Sequence, residues 1–151
     1  MDIDKHVIGK SKNISEIKRF LKRIAESNFH IIIIGERGTG KDLIAQTVHD
    51  ISPNRYEPYI KVDFAVASDE LRETELFGSP DAGSVGKLVL AGNGTLSIDN
   101  IDEWPQELQM RLLSVMQNGG FTSGRFIPLK CRIVTMSHRD LRLAVEGGVF
   151  R

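Results

Sequence analysis

The residues best suited to chemistry are Gly35-Glu36-Arg37-Gly38-Thr39-Gly40-Lys41-Asp42. They follow the apolar run Ile31-Ile32-Ile33-Ile34 and lead into Leu43-Ile44-Ala45, which has helical character. A strand, a glycine-rich loop and a helix start, in that order, are the setting of a phosphate-binding loop. Gly35, Gly38 and Gly40 lack a Cβ, so the backbone can turn its N–H groups around a polyphosphate at a helix N-terminus. Lys41 adds a point charge for the β- and γ-phosphates. The strict pattern has Ser or Thr where Asp42 stands, but both flanks are right. The chemistry to expect is nucleoside triphosphate binding.

The elements that must position this loop can be read from periodicity. Ile14, Ile17, Phe20, Leu21 and Ile24 have helical spacing over 14–26, and Asn13 with Glu16 forms a loose capping box. After the isoleucine strand and the loop, a helix runs to about Asp50 with Leu43, Ile44 and Val48 on its apolar side. Ser52-Pro53-Asn54-Arg55 is a turn, and Tyr59 to Phe64 a second strand. A helix around 68–77 precedes a loose stretch over 78–86. Thr95 to Asp99 is a third strand, and Pro105 opens a helix holding Leu108, Leu112, Leu113 and Met116. Cys131 to Ser137 is a fourth strand, followed by a helix from Arg139 to about Glu146. Strands alternating with helices predict a parallel sheet with helices on both faces.

Composition narrows the class. A chain of 151 residues fits one domain with a real core, and 20 basic against 20 acidic residues leave no net charge. No global field therefore points to nucleic acid or an anionic membrane. The single cysteine, Cys131, cannot form an internal disulfide and reads as a buried strand thiol. No signal-peptide stretch or run of transmembrane length occurs, so the expected location is cytoplasmic.

Several stretches together resemble the AAA+ ATPase domain of the sigma-54-dependent transcription activators, the bacterial enhancer-binding proteins. Ile8-Gly9-Lys10-Ser11 is similar to the family's opening, which lies near the adenine. Gly35 to Asp42 is close to the family's GExGTGKE, which also has an acid after the lysine. Glu75-Leu76-Phe77-Gly78 matches ELFG, Gly94 to Asp99 matches GTLFLD, and Arg139-Asp140-Leu141 matches the NRDL tail. The final Gly148-Val149-Phe150-Arg151 resembles the start of the stretch that carries the arginine fingers. The resemblance covers nearly the whole chain and implies a P-loop NTPase α/β subdomain over 1–151, ending before the helical lid. It implies ATP or ADP with Mg²⁺ as cofactors, and self-association as an AAA+ oligomer in the full-length protein. Any DNA-binding domain would lie elsewhere, so this domain is not expected to touch nucleic acid or a membrane itself.

The departures from the family are as informative. ELFG is followed in the family by a long loop bearing GAFTGA, which touches sigma-54; here 79–85 is too short to hold it. Phe121 to Lys130, matching a supporting loop, also looks trimmed. Together they point to loss of sigma-54 contact. At the end of the third strand the family has Asp-Glu, for magnesium and for polarising water; here stand Asp99 and Asn100. Asn cannot accept a proton, and general-base assistance is worth roughly 10²–10⁴-fold in rate. The family's Asn at the end of the second strand is here Asp63, so a carboxylate and an amide have either traded places or decayed separately. His138 stands where the family has a sensor Asn, either as a hydrogen-bond donor or simply solvated.

The resemblance thus assigns Ile8, Gly35, Glu36, Gly38, Thr39, Gly40, Lys41 and Asp42 to the nucleotide and Asp99 to the metal. It assigns Asp99, Asn100, Asp63, His138 and Arg151 to catalysis, Arg151 as a finger reaching a neighbour. Feeble hydrolysis is the expectation; a working ATPase using Asp63 or Asp102 as base, or an interaction module with a vestigial site, are the alternatives. Trp104 reads as packing, Asp102 and Glu103 as a solvated helix N-terminus, and His6, His30 and His49 lack metal-ligand spacing. In the family's sheet, only a strand beyond Arg151 would cover the isoleucine strand. Ile31 to Ile34 should therefore form an exposed edge that recruits partners or lowers solubility.

Overall fold

In the computed structural model, residues 12–27, 29–35, 40–63, 69–79, 81 and 83–137 are described. Four parallel strands form the main sheet: β1 (Ile31–Ile34), β2 (Tyr59–Asp63), β5 (Thr95–Asp99) and β8 (Arg132–Ser137). Their spatial order is β1-β8-β5-β2, so every connection crosses over. Helix α1 (Lys12–Glu26) precedes β1, and the crossovers carry α2 (Lys41–Asp50), α3 (Asp69–Phe77), α4 (Lys87–Leu90) and α5 (Gln106–Asn118). This is the expected α/β architecture, and all four predicted strands are present.

The period-2 alternation of the strands divides the core between the two faces. Register pairs Leu96 with Ile133 and Val62 with Ile98, and these side chains pack with Leu76 and Leu112 in the larger cluster. Their neighbours point the other way: Ile33, Val134 and Met136 meet Ala45 of α2. Val48 of α2 joins Leu21 and Ala25 of α1 in a third cluster on that side. On α1, Arg19, Lys22 and Arg23 are exposed while Leu21 and Ala25 are buried, as an amphipathic stripe requires.

β1 is the edge strand among the described residues, paired on one side with β8 only. Ile33 faces α2 and is buried, while Ile32 and Ile34 are each 48% exposed. The predicted apolar edge is therefore present.

Several local expectations need correction. The first helix begins at Lys12, so Asn13 lies in its first turn and does not cap it. The stretch over 78–86 is not loose: β3 (Gly78–Ser79) and β4 (Ser84–Val85) pair antiparallel, and α4 follows. Residues 121–130 form no simple loop either, because β6 (Gly120–Ser123) and β7 (Arg125–Pro128) make a hairpin closed at Gly124, φ 75°. Short pairings of this kind have too few residues for periodicity to register. Asp102 is only 1% exposed, in a 3₁₀ turn over Ile101–Glu103 (Glu103 is exposed, as expected). Trp104 is buried in the larger core cluster, as read from the sequence. No helix among the described residues is long and apolar enough to cross a membrane.

Candidate nucleotide-binding site

Parallel pairing sets Ile34 beside Ser137 and Asp63 beside Asp99, which gathers the carboxyl ends of all four strands at one end of the sheet. Open α/β sheets bind ligands at that end. The chain leaves β1 through Gly35, whose N–H donates to the Ser137 carbonyl at 3.0 Å. It enters α2 through Gly40, held at φ 84°, ψ 25°. That left-handed geometry favours glycine and lets the loop turn directly into the helix. Lys41, the first helical residue, curls back so that Nζ donates to the Gly35 carbonyl at 2.6 Å. Both ends of the loop are thereby tied, with a cation and a helix N-terminus between them. Glu36 to Thr39 lie outside the described residues.

Asp42 is tied to the sheet. Its carboxylate pairs with Nζ of Lys61 on β2 at 3.0 Å, and this bond, with Asp99 nearby, holds the Lys61 ammonium above its ordinary range. Both side chains are about half exposed (46% and 56%), so the pair itself adds little stability. Its effect is positional: it links the start of α2 to β2 and sets a positive charge near Asp99. Sequence reading missed Lys61. Its signal was register, since an outward-pointing β2 residue on the face that receives α2 must meet the first turn of that helix.

At the end of β5 one Asp99 carboxylate oxygen accepts the Asn100 backbone N–H at 2.9 Å. Asn100 sits at φ 56°, ψ 39°, alone among described non-glycine residues in having a positive φ. Asparagine tolerates this conformation, whereas most side chains are opposed there by about 1–2 kcal/mol. The turn that follows is fastened from below. Gln109 of α5, fully buried, donates through Nε2 to the carbonyls of Ile101 (2.9 Å) and Trp104 (2.8 Å). Gln109 was also missed, although an amide beside Leu108 and Leu112 on a core-facing helix was its visible signal.

The structure thus brings Gly35, Gly40, Lys41 and Asp99 to one end of the sheet, with Asn100 immediately beyond. Asp63 reaches the same end by backbone register, and its side chain lies outside what is described. Ile8, His138 and Arg151 lie outside the described residues as well. No cluster of three His, Cys, Asp or Glu side chains suited to a metal occurs among the described residues. A divalent ion here would rest on Asp99, water and the phosphates, which is how Mg²⁺ is commonly held.

The chain matches the family model for the sigma-54 interaction domain over residues 7–151. It is 39% identical over 155 residues to the DNA-binding transcriptional regulator NtrC of Azospirillum brasilense, covering 96% of this chain and 32% of that protein. Crystal structures of NtrX from Brucella abortus are similar throughout. The complex with ATP has a TM-score of 0.84 at 29% identity, over 95% of this chain and 34% of that one. The complex with ADP has a TM-score of 0.86 at 28% identity, over 100% of this chain and 35% of that one. The chain therefore spans about a third of the length of these relatives.

Proposed function

The chain belongs to the sigma-54 interaction domain family, and on that premise we propose that it is the nucleotide-binding part of a transcriptional regulator impaired in hydrolysis and in sigma-54 contact. ATP or ADP is the ligand that the loop fits, and such nucleotides are present in the related NtrX structures. Gly35, Gly40 and Lys41, with Glu36, Gly38 and Thr39 between them, hold the phosphates. Asp99 lies where it can take part in a Mg²⁺ shell, and the ion would supply charge neutralisation between phosphates. Asp42, paired with Lys61, fixes the start of α2 beside that loop.

The observation that carries the impaired-hydrolysis reading is Asn100 in its left-handed turn beside Asp99. An amide cannot accept the proton of an attacking water. The burial of Asp102 supports the same reading, because a carboxylate 1% exposed is poorly placed to serve as a substitute base. The short β3–β4 pairing, which spans 78–85 and contains no GAFTGA, supports loss of the sigma-54 contact. Assembly into an oligomer, with Arg151 reaching a neighbour's nucleotide, belongs to the same reading.

Calorimetric titration with ATP and ADP, beside a phosphate-release assay, tests this. Binding that is abolished by Lys41→Ala, with release at background, is the expected result. Sustained turnover identifies a working ATPase, and absence of binding at millimolar nucleotide identifies an interaction module.

A further inference from the structure

The opposite end of the sheet, where the parallel strands begin, holds a cavity of about 380 Å³. That volume lies at the low end of small-molecule sites. Its walls include Ser27, His30, Ser52, Thr95, Lys130 and Arg132, and no lining residue among those described is an Asp or Glu.

Arg132 opens β8 and is only 9% exposed. Its Nη2 donates to the Ile24 carbonyl in the last turn of α1 at 2.9 Å, while Nη1 is buried without a hydrogen-bond partner. No carboxylate pairs with it among the described residues. A helix C-terminus carries about half a unit of negative charge, so the α1 carbonyl offsets only part of the guanidinium. Leaving a charged donor unmade in the interior is costly. Arg132 lines the cavity, and an anion that reached Nη1 from it would remove that cost.

The neighbours supply no anion of their own. Burial pushes the Cys131 thiol up to about 12, so it stays neutral at physiological pH. Burial, with Arg132 adding its charge, holds the His30 imidazole below its ordinary range. His30 Nδ1 accepts the Ile133 backbone N–H at 3.0 Å, which leaves the ring proton on Nε2 as a donor. Ser27 and Ser52 already donate to the Ile24 and His49 carbonyls, and Thr95 is engaged with His49. The donors left for a ligand include Arg132 Nη1, His30 Nε2 and, at the rim, the exposed Lys130 ammonium and Asn93 amide.

We propose that this cavity is a second ligand site, specific for a small oxyanion such as a phosphoryl or carboxylate group, with Arg132 as its central donor. It is separate from the Gly35–Lys41 loop and independent of the nucleotide reading. Arg132 donates to the oxyanion through Nη1, a charge-assisted hydrogen bond, and Lys130 and His30 complete the shell.

The test uses the full 151-residue chain carrying Lys41→Ala, so that the nucleotide loop does not contribute. Inorganic phosphate and succinate are titrated separately against sodium chloride of equal ionic strength, with NMR shifts of His30, Thr95 and the Arg132 guanidinium as the readout. Saturable shifts with either oxyanion, weakened at least about tenfold by Arg132→Gln and by Lys130→Glu, bear the site out. Saturation by phosphate alone assigns a phosphoryl ligand, and saturation by succinate alone a carboxylate. Lys130 is exposed, so its variant decides the matter if Arg132→Gln does not fold. Shifts reproduced by chloride, confined to residues 35–41, or unchanged in Lys130→Glu overturn the proposal.

Discussion

At the scale of single residues, Lys41 and Asn100 divide binding from turnover. Lys41→Ala removes the cation that bridges the two ends of the loop, and ATP affinity is expected to fall below calorimetric detection with the fold unchanged. Asn100→Glu should behave less simply, since φ 56° opposes a glutamate. It is expected to lower unfolding stability by about 1 kcal/mol, and to raise phosphate release only together with Asp63→Asn. Chemical denaturation and a release assay read the two effects separately. Cys131 offers a third check: with its thiol pushed up to about 12, it should react with a thiol reagent only as the chain unfolds. Rapid labelling of the folded chain at neutral pH would show that the thiol is not buried against Leu88.

At the scale of elements, β1 is the strand whose residues have opposite sensitivities. Ile33 packs against Ala45, Val134 and Met136, and Ile33→Ala is expected to cost about 2–5 kcal/mol in denaturant unfolding. Ile32 and Ile34 point to the other face at an open edge. Ile32→Lys should be tolerated and should reduce any concentration-dependent association seen by sedimentation. The turn into β5 is equally position-specific. Gly94 passes so close to the Pro58 carbonyl that a Cβ would collide with backbone, and Thr95 N–H donates to that same carbonyl at 2.9 Å. Gly94→Ala must push β2 and β5 apart, so its thermal midpoint should fall more than that of an alanine at Gly83, where a Cβ meets nothing but φ is +69°.

At the scale of the whole molecule, stability should depend on pH and on nucleotide. Burial holds both His30 and His49 below their ordinary value of 6.5. The unfolded chain therefore takes up protons first as pH falls, so stability is complete above about 6.5 and declines below it. Thermal midpoints at about pH 7.5 and pH 5.5 should show the drop, and His49→Gln should diminish it. Nucleotide acts in the other direction, since a ligand that binds only the folded chain stabilises it. At 100 times its dissociation constant the gain is about 2.7 kcal/mol, and Lys41→Ala should abolish it.

How much was legible follows from the range of each interaction. The order of the described strands and helices and the amphipathic face of α1 are encoded by neighbours within a few residues, so periodicity revealed them; the helix expected from Arg139 to about Glu146 lies outside the described residues. The β3–β4 and β6–β7 pairings escaped because each strand is only two to four residues long. Tertiary contact alone decided where the charges went. Asp42 and Lys61 are distant in sequence, and only sheet register brings their heads to 3.0 Å. Asp102 looked like a solvated helix start, but the turn held by Gln109 folds it into the interior. Arg132 and Ile24 lie 108 residues apart, so neither the buried guanidinium nor the cavity beside it could be read from local pattern. Local sequence set the elements here, while the pairing of distant polar groups waited on the crossovers that brought them together.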